Sequence, residues 1–114
     1  MKENLLVQKS KEFAIQIINL CDNPKDTMSI ANQLVRSGTS IGTNIHEAQY
    51  AHGKKDFIAK LEISLKKCNE TEYWLELLCK TKKISENVYK DLKQTAGSIR
   101  RILIASCKTA KENI

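Results

Sequence analysis

The sequence predicts an all-α protein: an antiparallel up-down-up-down four-helix bundle in which residues 1–114 form a single domain. Three observations carry that prediction. Apolar residues recur at three- and four-residue spacing through most of the chain, the period of a helix with one buried face. One proline and four glycines leave little room for the many tight turns of an all-β fold. The helical pattern breaks at only three short places, around Cys21–Pro24, His52–Gly53 and Thr81–Ile84, and short connections make antiparallel neighbours of successive helices. A chain of 114 residues supports one modest core, not two.

The first helix is expected over about residues 3–20. Leu6, Phe13, Ile17 and Leu20 share a face, Val7, Ala14 and Ile18 widen it, and Lys9, Lys11 and Glu12 fall mostly outside it. Cys21-Asp22-Asn23-Pro24 ends this helix. Asn23 suits the cap of the next one, Pro24 its first position and Asp26 its first turn.

The second helix, over about residues 26–50, contains the stretch around which the chain is organised, LVRSGTSIGTNIHEAQ from Leu34 to Gln49. At 100° per residue Leu34, Ile41, Ile45 and Ala48 share one face with Gly38 beside them. Ser37, Ser40, Asn44 and Glu47 form a second stripe roughly a quarter-turn away. A freely solvated face would carry long charged side chains, so short hydroxyls and amides imply close packing with each polar atom partnered. Gly38 and Gly42 each cost about 1 kcal/mol relative to Ala inside a helix, which is reasonable where a neighbouring backbone comes close. His52-Gly53 ends the helix, with Gly53 free to take a left-handed conformation.

The third helix is expected over 54–80 and the fourth over 85–109. In the third, Phe57, Leu61, Leu65, Cys68, Leu75 and Cys79 make one apolar stripe, which also carries the acidic Glu72. Ala59, Ile63, Trp74 and Leu77 make a second one opposite, with Lys67 and Glu70 among them. A monomeric bundle helix needs only one such stripe, so the second implies self-association. Arg36, Ser37, Ser40, Asn44, Glu47, Lys67, Glu70 and Trp74 are therefore the candidate structural and interface residues. In the fourth helix Ser85 is a good cap and Glu86 sits in the first turn. Val88, Leu92, Ile99, Leu103 and Ser106 face the core, and Lys90, Lys93, Arg100, Arg101, Lys108 and Lys111 lie opposite. The last residues, through Ile114, fray.

Net charge is +6 and uneven: residues 1–57 carry 7 basic and 6 acidic groups, and 58–114 carry 12 and 7. That excess permits contact with polyanions, and an ordinary lysine-rich surface is the competing reading. Candidate nucleic-acid contacts are Lys54, Lys55, Lys66, Lys90, Lys93, Arg100, Arg101 and Lys108. No aromatic residues alternate with the basic groups as stacking platforms, and no helix-turn-helix pattern is evident, so contact would be mainly to phosphates. No catalytic residue is assigned, because no nucleophile–base pair is recognisable. No metal or cofactor is expected either: His46 and His52 are the only histidines, and HExxH and Glu-x-x-His spacings are absent. Cys21, Cys68, Cys79 and Cys107 lack zinc-ligand spacing and read as reduced thiols. The longest apolar run is too short to span a bilayer and the N-terminus lacks a signal-peptide core, so a cytoplasmic location without membrane contact is expected.

Three stretches, RSGTSIGTNIHEA at Arg36–Ala48, KDFIAKLEISLKK at Lys55–Lys67 and NETEYWLELL at Asn69–Leu78, together resemble the four-helix-bundle family also called the 23S rRNA intervening-sequence protein family. Its members are small bacterial proteins, some encoded within insertions in large-subunit ribosomal RNA genes. Lys67 departs from the pattern where a Glu is expected, and Gly53 where a Ser cap is. The resemblance implies a bundle assembling as a ring-like homopentamer, with no established biochemical activity. It also implies kinship to the accessory protein of diversity-generating retroelements, a basic pentameric bundle that binds nucleic acid and a reverse transcriptase. The function expected is a non-enzymatic oligomeric scaffold contacting RNA or DNA through basic faces. The alternative is an adaptor whose partner is another protein.

Overall fold

The structure is a computed structural model, and it describes residues 4–22 and 28–113. Four helices make up the described chain: α1 (Leu5–Leu20), α2 (Met28–Ala48), α3 (Lys54–Lys80) and α4 (Glu86–Glu112). The expected cap at Asn23, Pro24 at the first helical position, Asp26 in the first turn and the start of the second helix lie outside the described residues. So do Glu3, where the first helix was expected to begin, and Ile114. Each helix touches two neighbours: α2 packs on α1 and α3, and α4 packs on α3 and, more sparsely, on α1.

Local chemistry explains the helix ends. Asn4 caps α1, its side-chain oxygen accepting from the N–H groups of Leu6 (2.9 Å) and Val7 (3.4 Å). Ser85 caps α4 by accepting from Val88 N–H at 3.1 Å, as its residue type foretells. At the end of α3 the N–H of Lys83 donates to the carbonyl of Leu78 (2.8 Å) and that of Lys82 to Cys79 (2.9 Å). This is a Schellman closure, and it holds Lys82 at φ 62°, a left-handed conformation that a glycine would occupy with less strain. Gly53, by contrast, is extended (φ 171°, ψ 177°) and not left-handed as expected, because α2 has already ended at Ala48 and the chain only straightens before α3. Helix α2 thus stops short of Tyr50, while α4 runs past residue 109 to Glu112.

The core is the one the periodicity outlines. Leu6, Phe13 and Ile17 of α1, Leu34, Ile41, Ile45 and Ala48 of α2, Leu61, Cys68 and Leu75 of α3, and Leu92, Ile99 and Leu103 of α4 are buried together. Each fully buried Leu, Ile or Phe contributes about 1.5–3 kcal/mol. Two apolar residues read as inward-facing are exposed instead, Ile18 and Val88. Both sit at the edge of their helix's apolar stripe, where a few degrees of rotation separate core from solvent. Where α1 crosses α2 the helices come close: a Cβ at Gly38 would lie 3.1 Å from Ile17 Cγ2.

Candidate functional site

The polar stripe of α2 is satisfied within the chain. Ser37 is buried and shares a hydrogen bond of 2.9 Å with Thr71 Oγ1 of α3. Ser40 donates to the carbonyl of Arg36 (2.6 Å) and Asn44 Nδ2 to that of Ser40 (2.8 Å), both within α2. Glu47 accepts from Lys60 Nζ of α3 at 3.1 Å. Among the described residues no buried side-chain nitrogen or oxygen lacks a partner. The row therefore has the character of a packed seam: its groups back-bond to their own helix or bridge to α3, with no base beside a nucleophile.

On α3, Glu70 joins two of the predicted interface residues. Its Oε1 lies 3.5 Å from Lys67 Nζ, and its Oε2 accepts from Trp74 Nε1 at 3.1 Å. Lys67, which departs from the family pattern, thus finds its counter-charge one turn along the same helix. Trp74 is half-buried against the core with Tyr73 edge-on to it at 5.2 Å. Tyr73 is 55% and Ile63 42% exposed, so large apolar groups on this part of α3 face solvent in the single chain. Arg36 is exposed near the middle of α2.

The predicted nucleic-acid contacts divide by what they already hold. By its position on the helix Arg100 faces away from the core. Its long side chain instead turns toward α3, where Nε donates to Glu72 Oε2 at 2.9 Å. Glu72, the lone acid on the apolar stripe, is thereby paired, and the contact raises the Arg100 pKa. Lys54 Nζ donates to the carbonyl of Asn113. Lys111 pairs with Glu62 at 2.9 Å, which raises its pKa through hydrogen bonding and charge. Lys55, Lys66, Lys90, Lys93, Arg101 and Lys108 are exposed and have no carboxylate within ion-pair distance among the described residues. Lys93 Nζ sits 5.6 Å from the centroid of Tyr89.

The basic group Lys80, Lys82 and Lys83, evident in the sequence, is joined in the fold by residues of α4 that spacing alone does not connect to it. An open depression of about 950 Å³ at the α3–α4 turn is lined by Lys80, Lys82, Lys83, Lys90 and Lys93 together with Tyr89. Tyr89 stands directly before Lys90 and one helical turn before Lys93, a single aromatic side chain beside the lysines and not one of an alternating row. The signal was legible as Y-K-x-x-K following K-x-K-K, but it joins only when the turn folds back.

The cysteines are free. Cys68 lies in the core with Sγ 3.2 Å from the carbonyl of Ala96. Burial, and then the charge of Glu72, push its pKa up to about 12, so it behaves as a small protonated hydrophobe and not as a nucleophile. Burial also raises the thiols of Cys21 and Cys107. Among the described residues, no group of three or more His, Cys, Asp or Glu side chains is placed to hold a metal. No described helix is long and apolar enough to cross a membrane.

Comparison with known proteins agrees with this geometry. A family model described as 23S rRNA-intervening sequence protein matches residues 2–105. A crystal structure of a protein with unknown function from the S23 ribosomal protein family of Bacteroides thetaiotaomicron is similar at 44% identity, with a TM-score of 0.89. The match covers 91% of this chain and 99% of that one. Among curated proteins, none matches the sequence.

Proposed function

Because the chain belongs to the 23S rRNA-intervening sequence protein family, we propose that it is a non-enzymatic, homo-oligomeric scaffold of the cytoplasm that contacts RNA or DNA through basic faces of α3 and α4. One observation carries the reading. Glu62, Glu70 and Glu72 of α3 are engaged by cations of the same two helices, while Lys55, Lys66, Lys90, Lys93, Arg101 and Lys108 stand without a carboxylate among the described residues. A surplus of solvated cations on neighbouring helices suits a phosphate backbone and needs no catalytic group. Arg100 and Lys54, with partners of their own, contribute charge more than direct contact.

The assembly is a ring-like pentamer, carried over from the family resemblance. Exposed Ile63 and Tyr73 beside Trp74 support a second buried surface on α3. Within each subunit the helices alternate in direction, supported by the order of contacts along the seam: residues 37, 41 and 47 of α2 meet 71, 64 and 60 of α3. A ring multiplies a weak phosphate footprint by avidity.

The test is binding of the purified protein to labelled RNA and duplex DNA across a salt series, with mass measured by light scattering. Contact with about six phosphates predicts a loss of roughly a thousandfold in affinity between about 50 and 200 mM salt. It also predicts strong weakening by the double reversal Arg101→Glu/Lys108→Glu. A stable oligomer that binds neither polymer at low salt overturns the reading. The exposed Leu5, Ile15 and Ile18 of α1 would then favour the second reading, an adaptor for another protein, whose apolar contact is insensitive to salt.

A further inference from the structure

We infer that the depression at the α3–α4 turn is a binding site for unpaired nucleotides of a single-stranded nucleic acid, with Tyr89 as the base platform and the surrounding lysines as phosphate ligands. The inference rests on the nucleic-acid reading above and narrows it to one site and one form of ligand.

Three features of the place converge. First, its charge is concentrated: Lys80 ends α3, Lys82 and Lys83 form the turn, and Lys90 and Lys93 follow on α4, with only Glu76 and Glu86 of opposite sign on the lining. None of the five lysines has a carboxylate within ion-pair distance among the described residues. Lys80, Lys82 and Lys83 fall within four residues of the sequence, at the turn where Lys82 takes a left-handed backbone. Second, the N-terminal end of the 27-residue α4 opens beside the same lining residues, Ser85 and Glu86. The Ser85 side chain occupies the Val88 N–H, and the partial positive charge of the remaining first-turn amides adds to that of the lysines. Third, the floor is not uniformly polar. Ile84 and Tyr89 supply apolar surface, and Tyr89 is half-buried, so its ring is anchored by core packing.

A phosphate alone would use the lysines and leave the ring idle. An unpaired nucleotide uses both, because its base stacks on an aromatic face while its phosphates draw the ammonium groups. Lys93, held near the ring at 5.6 Å, then exchanges the ring for a phosphate oxygen as the base arrives. A duplex keeps its bases stacked on one another and offers only its backbone, so it gains nothing from Tyr89. An acidic peptide would satisfy the charge but not the ring.

The experiment is fluorescence anisotropy with labelled oligouridylate and oligothymidylate of about 12 nucleotides, a span that fits single-strand sites, beside a duplex of the same length and poly-glutamate. The proteins are the wild type, Tyr89→Leu, Tyr89→Phe, Lys93→Gln and the pair Arg101→Gln/Lys108→Gln, each confirmed as folded by circular dichroism. Tyr89→Leu is expected to weaken single-strand binding roughly tenfold and leave duplex binding unchanged, and Tyr89→Phe, which keeps the π-face, to restore it. Lys93→Gln, at an exposed position, is expected to weaken single-strand binding severalfold and to flatten its salt dependence by about one phosphate contact. Single-strand binding indifferent to Tyr89→Leu and Lys93→Gln, but reduced by Arg101→Gln/Lys108→Gln, overturns this site and leaves the broader nucleic-acid reading standing. Binding of poly-glutamate with no binding of any nucleic acid overturns both.

Discussion

The crossing of α1 and α2 offers two glycines of the same sequence context but opposite expected response. Gly38→Ala and Gly42→Ala each gain about 1 kcal/mol from helix propensity. At Gly42 the added Cβ lies 3.5 Å from the carbonyl oxygen of Ser10 and 3.6 Å from its Oγ, ordinary contacts that leave the gain intact. At Gly38 it lies 3.1 and 3.2 Å from Cγ2 and Cγ1 of Ile17. Ile17 is fully buried and β-branched, so it is confined largely to one rotamer and cannot swing aside. Overpacking of that kind costs about 1–3 kcal/mol, which cancels or exceeds the propensity gain. Gly42→Ala is therefore expected to raise stability by about 1 kcal/mol, and Gly38→Ala to lower it by 0 to about 2. Urea denaturation at one fixed protomer concentration reads the difference, since association shifts apparent stability. With a slope near 2 kcal/mol per molar, the two midpoints should differ by about 0.5–1.5 M. Equal stabilisation by both substitutions would refute the close approach at Ile17.

Three further outcomes follow from the same structure. Lys82→Gly relieves the left-handed backbone and is expected to stabilise by about 0.5–1 kcal/mol after the extra entropy of unfolded glycine is discounted; a destabilised variant in thermal melts would contradict the Schellman geometry. Cys68 holds its proton to about pH 12 when folded, against an ordinary value of 9.0. Its contribution is therefore complete below pH 9 and is lost as the pH climbs toward 12, about 1 kcal/mol being gone by pH 10. Cys68→Ala should show a shallower fall in stability between pH 8 and 10, and identical slopes would count against the burial of that thiol. Under the proposed assembly, Ile63→Asp, at an exposed position, should leave helicity intact while lowering the mass seen by light scattering; an unchanged mass would remove this face of α3 from the proposed interface.

Much of the fold was legible because its main signal is periodic. Leu34, Ile41 and Ile45, or Leu61, Cys68 and Leu75, repeat at spacings that only a helix brings to one side, and all six are buried. What escaped has physical causes. Ser10, Ser64 and Thr71 are buried hydroxyls, and composition assigns such residues to the surface until their partners are known. Ile18 and Val88 sit at the edge of an apolar stripe, where a few degrees of helix rotation decide between core and solvent. Arg100 points outward by its angle on the helix, yet its side chain is long enough to curl back to Glu72. The candidate site was legible residue by residue but not as a place, because Tyr89 and Lys80 are nine positions apart and meet only across the turn.

The hydroxyls between α2 and α3 carry a consequence of their own. Apolar side chains slide past one another at little cost, but Ser64 must reach the carbonyl of Ile41 (2.9 Å) and Thr71 must reach Ser37. A slip of one helical turn, about 5.4 Å, would take Ser64 from its acceptor in a dry core at roughly 1–3 kcal/mol, and would break the bridge between Thr71 and Ser37 although each hydroxyl keeps a carbonyl of its own helix, Lys67 (2.7 Å) and Leu34 (3.4 Å). The pair of helices therefore behaves as a rigid plate with a vernier built into its seam. Ser40 and Asn44 on one rail, and Lys67, Glu70 and Trp74 on the other, are carried at a set spacing before any partner arrives. A surface that docks across both rails meets a pattern already cut to measure, and spends none of its binding energy on aligning the two helices.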